Sequence, residues 1–446
     1  MDKFDLIVIG AGPGGYVAAQ KAGSLGKNVL LVEKSELGGV CTNLGCIPTK
    51  SLLNSAKIYR QSLDSEKMGV SVSAVNYDLE TAMAWKQETI ETLRNGIAFL
   101  MKHSKVNVVK GEAKFLDSNT IKVGNEIYKG ENFIIATGSS PAIVPIPGHD
   151  LDHVLTSNEI LSIDSLPNDI TVIGGGVIGM EFASYFHSLG IKVTVIEMLD
   201  EILPMMDKEF AKLMRREMKG VTFNLGCKVT EITKETVKFI DAKGNEKEVE
   251  AAMVLLSIGR RPNLGVIGDL DIKTERGAIV VDESLKTNFA NIWAIGDVNG
   301  KSLLAHSATK MGEVVIENLY NNKSQRVNYN AIPWAVYGMP EAGGCGLSED
   351  DAAKKGITVK TATSQMRSNG RFLAENGKRA SGICKVIVEE ATDVIVGIHL
   401  LGPYSSEIIA AATPIIEKRM KVEDVKEMVF AHPSIAEIIR DTLFLL

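Results

Sequence analysis

Two cysteines with four residues between them stand in the stretch Gly39-Val40-Cys41-Thr42-Asn43-Leu44-Gly45-Cys46-Ile47-Pro48-Thr49-Lys50. The chain has only five cysteines in 446 residues, so this pairing stands out. A C-x-x-x-x-C loop can close as a disulfide with modest local motion. Pro48 is placed to open a helix over Thr49 to Leu63, at a favoured first-turn position. A thiol at a helix start feels the positive end of the dipole, which favours thiolate. The pair can also be read as buried apolar filler or half a metal site. A zinc centre needs more ligands than lie nearby, and no metal site is expected. Dithiol–disulfide chemistry is the reading these residues favour.

Such chemistry needs an electron carrier, and the preceding residues supply a place for one. Residues 4–10 read as a buried parallel strand running into Gly10-Ala11-Gly12-Pro13-Gly14-Gly15. A helix is expected over Tyr16 to Leu25, then a strand ending at Glu33. In such a G-x-G-x-x-G the first glycine permits the turn and the second lets backbone reach a pyrophosphate. The third packs helix on strand, and the acidic residue bonds a ribose. The pattern recurs: strand Ile170–Ile173, then Gly174-Gly175-Gly176-Val177-Ile178-Gly179, a helix through Leu189, and a strand ending at Glu197. Glu33 lies 23 positions after Gly10, and Glu197 lies 23 after Gly174. Two complete fingerprints imply two dinucleotides, one per domain. The Glu197 carboxylate would accept bonds from a ribose 2′-hydroxyl and repel a 2′-phosphate, so NAD is favoured over NADP.

Further elements surround these. A long polar-faced helix is expected over residues 77–103, and Phe133 to Ile135 read as a strand turning at Ala136-Thr137-Gly138. Pro141, Pro145 and Pro147 punctuate a connector. A strand over Ala252 to Ile258 stops at Gly259-Arg260-Arg261-Pro262. Ala294-Ile295-Gly296-Asp297 puts an Asp at a strand end, facing a ligand crevice or serving as a turn residue. A helix is expected over Ser307 to Tyr320. From Ile332 strands and helices continue without a fingerprint, as in a separate α+β interface module. The domains are read as 1–143, 144–262, 263–331 (completing the first) and 332–446. Near the end, His432-Pro433-Ser434-Ile435-Ala436-Glu437 has two readings. His432 can be a general base oriented by Glu437, or Ser434 and Glu437 can form a capping box.

Composition narrows the class. Hydrophobic content of 45% and charged content of 23% suit a globular enzyme. A net charge of −6 without a long basic run argues against nucleic acid. The apolar runs are strand-length and broken by glycine, which argues against a membrane span. The first residues lack a basic n-region, so the cytoplasm is expected.

Taken in order, these motifs resemble the flavin-dependent pyridine nucleotide–disulfide oxidoreductases, and the resemblance runs essentially end to end. Within that family they look most like the members that oxidise dihydrolipoyl groups. The resemblance implies two Rossmann-like domains, for FAD and NAD, and a C-terminal α+β dimerisation domain. It places FAD on the first fingerprint with Glu33, Lys34 and Gly39, Ala113 and Ala136-Thr137-Gly138 by backbone, Gly296-Asp297, and Leu303, Leu304, Ala305 and His306. It places NAD on the second fingerprint with Glu197, Val229, Gly259 and Arg260. Lys50 would lie near the flavin paired with Glu181, Cys46 would face the flavin, and Cys41 would exchange with substrate. The His432–Glu437 pair would come from the partner of a homodimer. The implied partner is a lipoylated carrier of a 2-oxo acid dehydrogenase or glycine-cleavage system. A reductase of another small disulfide, CoA-disulfide-like, is the enzymatic rival, and a docking scaffold the non-enzymatic one. The sequence departs from the family at Gly338-Met339-Pro340 and at Ser307-Ala308-Thr309-Lys310, positions that touch the interface and the flavin edge.

Overall fold

The computed structural model describes residues 3–446; Met1 and Asp2, read above with the first domain, lie outside it. Strand Lys3–Ile9 is apolar and buried throughout its core half, as expected of a parallel strand covered on both faces. It pairs in parallel with Val29–Glu33 on one side and Glu126–Ile135 on the other. Asn107–Lys110 extends one edge, and Ile292–Ala294 joins Glu126–Ile135 in parallel. Helix α1 (Pro13–Ser24) crosses over from the first strand. The strand order reverses on either side of Lys3–Ile9, so a crevice opens at its carboxyl end, where the first fingerprint lies.

Helices α2 (Gly39–Leu44), α3 (Cys46–Leu63) and α4 (Leu79–His103) follow on this first unit. Asp78 caps α4 by accepting from the Glu80 and Thr81 N–H groups. The expected cysteine loop is two helices broken at Gly45, and α3 starts at Cys46 rather than Thr49. Pro48 is tolerated inside it because first-turn N–H groups have no intrahelical acceptor.

The second unit repeats the plan. Asp169–Ile173, helix α5 (Val177–Ser188) and Lys192–Glu197 form its βαβ core, in a five-stranded parallel sheet. Helix α6 (Lys208–Glu217) follows, and a three-stranded meander over residues 228–250, unforeseen in the sequence, covers one side. Helix α7 (Ala305–Tyr320) returns to pack along α1. The C-terminal unit is a five-stranded antiparallel sheet ordered 334–336, 342–346, 395–401, 383–389, 359–365, with helix Ser405–Glu417 against it. The terminal helix is Glu437–Leu443, shorter than expected because Ser434 stands two residues before its cap, Ala436. Among the described residues no helix is long and apolar enough to cross a membrane.

Candidate active site

The glycines do different jobs in each fingerprint. A Cβ on Gly15 would stand 1.8 Å from Gly10 O, and one on Gly179 would stand 2.0 Å from Gly174 O. These third glycines let the helices lie against their strands, and neither lines the cavity described next. A Cβ on Gly12 or Gly176 would meet no protein atom within 4 Å. Those two are the N-caps of α1 and α5, neither has a side-chain cap, and both line the cavity. Two helix N-termini thus present free N–H groups to open space, the arrangement that receives a phosphate.

That space is one continuous cavity of about 2030 Å³. A pocket for one small ligand is about 300–1,000 Å³, so this one has room for two dinucleotides. The residues expected at FAD line it: Gly10, Pro13, Gly14, Glu33, Lys34, Gly39, Ala113, Ala136-Thr137-Gly138, Gly296-Asp297 and Leu303 to His306. So do those expected at NAD: Gly174, Val177, Ile178, Glu197, Val229, Gly259 and Arg260. Glu33 accepts from Ala11 N–H at 2.7 Å and Ser35 N–H at 2.8 Å. Glu197 accepts from Gly175 N–H at 2.5 Å and Leu199 N–H at 2.7 Å. Each carboxylate is held by backbone at the end of its strand. Asp297 sits in the turn Gly296–Asn299, accepts from Ser139 Oγ at 2.5 Å and faces the cavity, so its turn and ligand-facing readings coexist. Arg260 holds the same Ser139 through Nε at 2.8 Å.

Cys41 and Cys46 lie on the wall of this cavity, half-buried, as free thiols. Cys41 lies in α2 and Cys46 is the first residue of α3. Their sulfurs are hydrogen-bonded to each other, which pushes the Cys41 thiol well up. The same bond brings Cys46 down to about 7, with burial and Glu181 opposing and the Lys50 ammonium assisting. Of the reduced pair, Cys46 is therefore the sulfur that loses its proton first. Lys50 Nζ lies 2.9 Å from both oxygens of Glu181, a buried carboxylate on α5. Burial works against the Lys50 charge, but Glu181 outweighs it and the ammonium is held above its ordinary value.

Tyr337 is a site residue the sequence reading missed. Its N–H donates to Glu181 Oε1 at 3.1 Å, and its ring lies 4.5 Å from Lys50 Nζ. It stands immediately before Gly338-Met339-Pro340, where the sequence departs from the family. Met339 N–H there donates to Ser184 Oγ at 2.7 Å, docking that segment on α5. No local signal marks Tyr337, which is 156 positions from its partner.

His432 and Glu437 do not join this site within the chain, for neither lines the cavity. His432 is 81% exposed, its Nδ1 3.1 Å from Glu437 Oε1. Glu437 Oε2 accepts from Ser434 N–H at 2.8 Å, which, with His432, holds its carboxyl below the ordinary range. The carboxylate thus orients the imidazole and ties down the Ser434 backbone together.

The model of the pyridine nucleotide-disulphide oxidoreductase family matches residues 4–312, and that of its dimerisation domain matches residues 332–443. Dihydrolipoyl dehydrogenase of Geobacillus stearothermophilus is 38% identical, covering 97% of this chain and 94% of its own. Dihydrolipoyl dehydrogenase 3 of Haloarcula marismortui is 36% identical, over 98% and 95%. Among solved structures, the HOCl-induced flavoprotein disulfide reductase RclA from Escherichia coli, in its Cu(II) complex, superposes with a TM-score of 0.88. It is 28% identical and covered in full, as is this chain. With two nucleotide cradles meeting at a dithiol, and with this likeness along its length, the chain belongs to the pyridine nucleotide–disulphide oxidoreductase family, as an FAD- and NAD-dependent flavoprotein with a dimerisation domain.

Proposed function

We propose that this enzyme oxidises protein-bound dihydrolipoyl groups to lipoyl disulfide, using Cys41 and Cys46 as the exchanging pair and NAD as the final acceptor. The observation that carries the reading is the thiol pair on the wall of one cavity between two glycine cradles, with Lys50–Glu181 beside it. Relatives named dihydrolipoyl dehydrogenase, at 36–38% identity, favour this substrate.

In the oxidised enzyme Cys41 and Cys46 are joined. His432 Nε2, supplied by the other copy of a homodimer with Nδ1 oriented by that copy's Glu437, takes a proton from one substrate thiol. That thiolate attacks Cys41 Sγ, breaking the Cys41–Cys46 bond and releasing Cys46 as thiolate. The second substrate thiol displaces Cys41, so the substrate leaves as a disulfide and the enzyme holds a dithiol. Lys50 favours the Cys46 thiolate, and Glu181 fixes the ammonium where it does so. Gly12 and Gly176, with the helix starts behind them, would hold the two pyrophosphates, and Asp297 would meet a sugar-alcohol hydroxyl. FAD, when bound, supplies the two-electron relay between dithiol and nicotinamide. A lipoylated carrier of a 2-oxo acid dehydrogenase or glycine-cleavage system is the partner, and the cytoplasm the place.

Full-length likeness to a flavoprotein disulfide reductase supports a second reading, NAD(P)H-driven reduction of another small disulfide. Anaerobic turnover decides between them. Dihydrolipoamide with NAD should produce NADH at rates well above those of NADH with CoA disulfide. Turnover with CoA disulfide alone, or with NADP alone, overturns the proposal.

A further inference from the structure

The loop after Glu197 covers the second fingerprint. Leu203 N–H donates to Gly175 O at 3.0 Å, and Ile202 is fully buried against Gly175. Pro204 and Met205 line the cavity. Leu203 has φ of 50°, a left-handed conformation unfavourable for leucine that persists only where surroundings impose it. The loop ends at Asp207, whose carbonyl accepts from Phe210 and Ala211 N–H and so starts α6.

At Asp207 the loop meets the C-terminal unit. Lys385, on strand Ile383–Glu389, is only 4% exposed. Its ammonium lies 3.1 Å from Asp207 Oδ2 and 2.8 Å from Glu209 Oε1, and it also contacts Glu349. Asp207 and Glu209 belong to the nucleotide side, Lys385 and Glu349 to the C-terminal unit. His399, 1% exposed, lies beside this group, its ring 6.4 Å from that of Phe210 on α6. Displacing the loop would take two of its three carboxylates from a buried ammonium and part the buried Asp207 from its cation, which costs more than breaking an exposed ion pair.

We infer that Lys385 is a positioning residue for NAD, clamping the strained loop over the nucleotide cradle from within the dimerisation domain. It touches no nucleotide and acts through Asp207 and the Leu203–Gly175 hydrogen bond. The inference deepens the NAD assignment and stands apart from the choice of disulfide substrate.

The test uses FAD-loaded protein and NAD binding by calorimetry, with NADH-driven flavin reduction as a rate readout. Lys385→Met should weaken NAD roughly three- to thirty-fold, leave the reduction rate at saturating NADH within about twofold, and lower thermal stability. Lys385→Arg should restore affinity. The double variant Lys385→Met with Asp207→Asn removes the orphaned charge, so it should regain stability but not affinity. Glu209→Gln, at the exposed edge of the cluster, should weaken NAD in the same sense without threatening folding. Unchanged affinity in Glu209→Gln and Lys385→Met, or affinity returning with stability in the double variant, overturns the clamp.

Discussion

The Cys46 thiolate is set by a balance that two substitutions should tip in opposite directions. Its sulfur is brought to about 7 first by the Cys41 hydrogen bond and then by Lys50, against burial and Glu181. At pH 7 about half the molecules therefore carry the thiolate. A unit charge at the outer reach of ~6 Å, in an effective dielectric of about 20, contributes roughly 3 kcal/mol, or about two pKa units. The Lys50 side chain is 30% exposed, and halving the figure for solvent screening leaves about one unit. Lys50→Met should raise the midpoint by about one unit, to near 8, and leave roughly a tenth of Cys46 ionised at pH 7. Glu181→Gln removes the opposing charge and should lower the midpoint. The assay is alkylation rate against pH on the anaerobically reduced enzyme, with peptide mapping to assign Cys46. A shift of the same sign in both variants, or none in Lys50→Met, refutes the electrostatic account.

Three further outcomes test the surrounding parts. Glu197→Ala should cut kcat/KM for NAD about tenfold to a hundredfold, because it removes a charged acceptor from the ribose position, and should narrow the preference over NADP. Gly179→Ala puts a methyl 2.0 Å from Gly174 O and 2.6 Å from Ser257 Oγ; it should destabilise by about 1–3 kcal/mol by thermal melting and weaken NAD while FAD content holds. Glu437→Gln should slow dithiol-driven reduction about a hundredfold in stopped flow and leave NADH-driven reduction unchanged.

How far these parts can be read without coordinates depends on how local they are. The fingerprints are legible because each glycine answers to a neighbour a few residues away, as Gly15 does to Gly10 and Gly179 to Gly174. The sequence pattern starts α3 three residues late because Pro48 reads as an opening, whereas Gly45, at φ −152° and ψ −109°, makes the break. The Lys50–Glu181 pair spans 131 positions and is visible beforehand only through resemblance. Tyr337 and the Lys385 cluster are invisible for the same reason: their partners come from other units. His432 gave two local readings: Glu437 does hold His432 Nδ1 and the Ser434 N–H, but no capping box forms, because the helix is capped at Ala436 and not at Ser434.

The largest gap between sequence and site concerns which chain supplies the base. His432 stands exposed outside the cavity that holds the thiols, and Val429 nearby is 97% exposed, with Met428, Phe444 and Leu445 also bare. An isologous pair would cover such a surface and offer each imidazole to the other copy's cysteines. Mixing subunits separates this from a site built within one chain. Cys46→Ser and His432→Ala homodimers should each be inactive. After unfolding and random reassociation in equal amounts, about half the dimers are hybrids. If the site is shared, one hybrid site carries both lesions and the other none, so activity should recover to about a quarter of the parent's. If thiols and imidazole act within a chain, no combination rebuilds an intact site and activity stays absent. Recovery must also track the fraction of hybrids when the mixing ratio is varied, because only that species can contain a complete site.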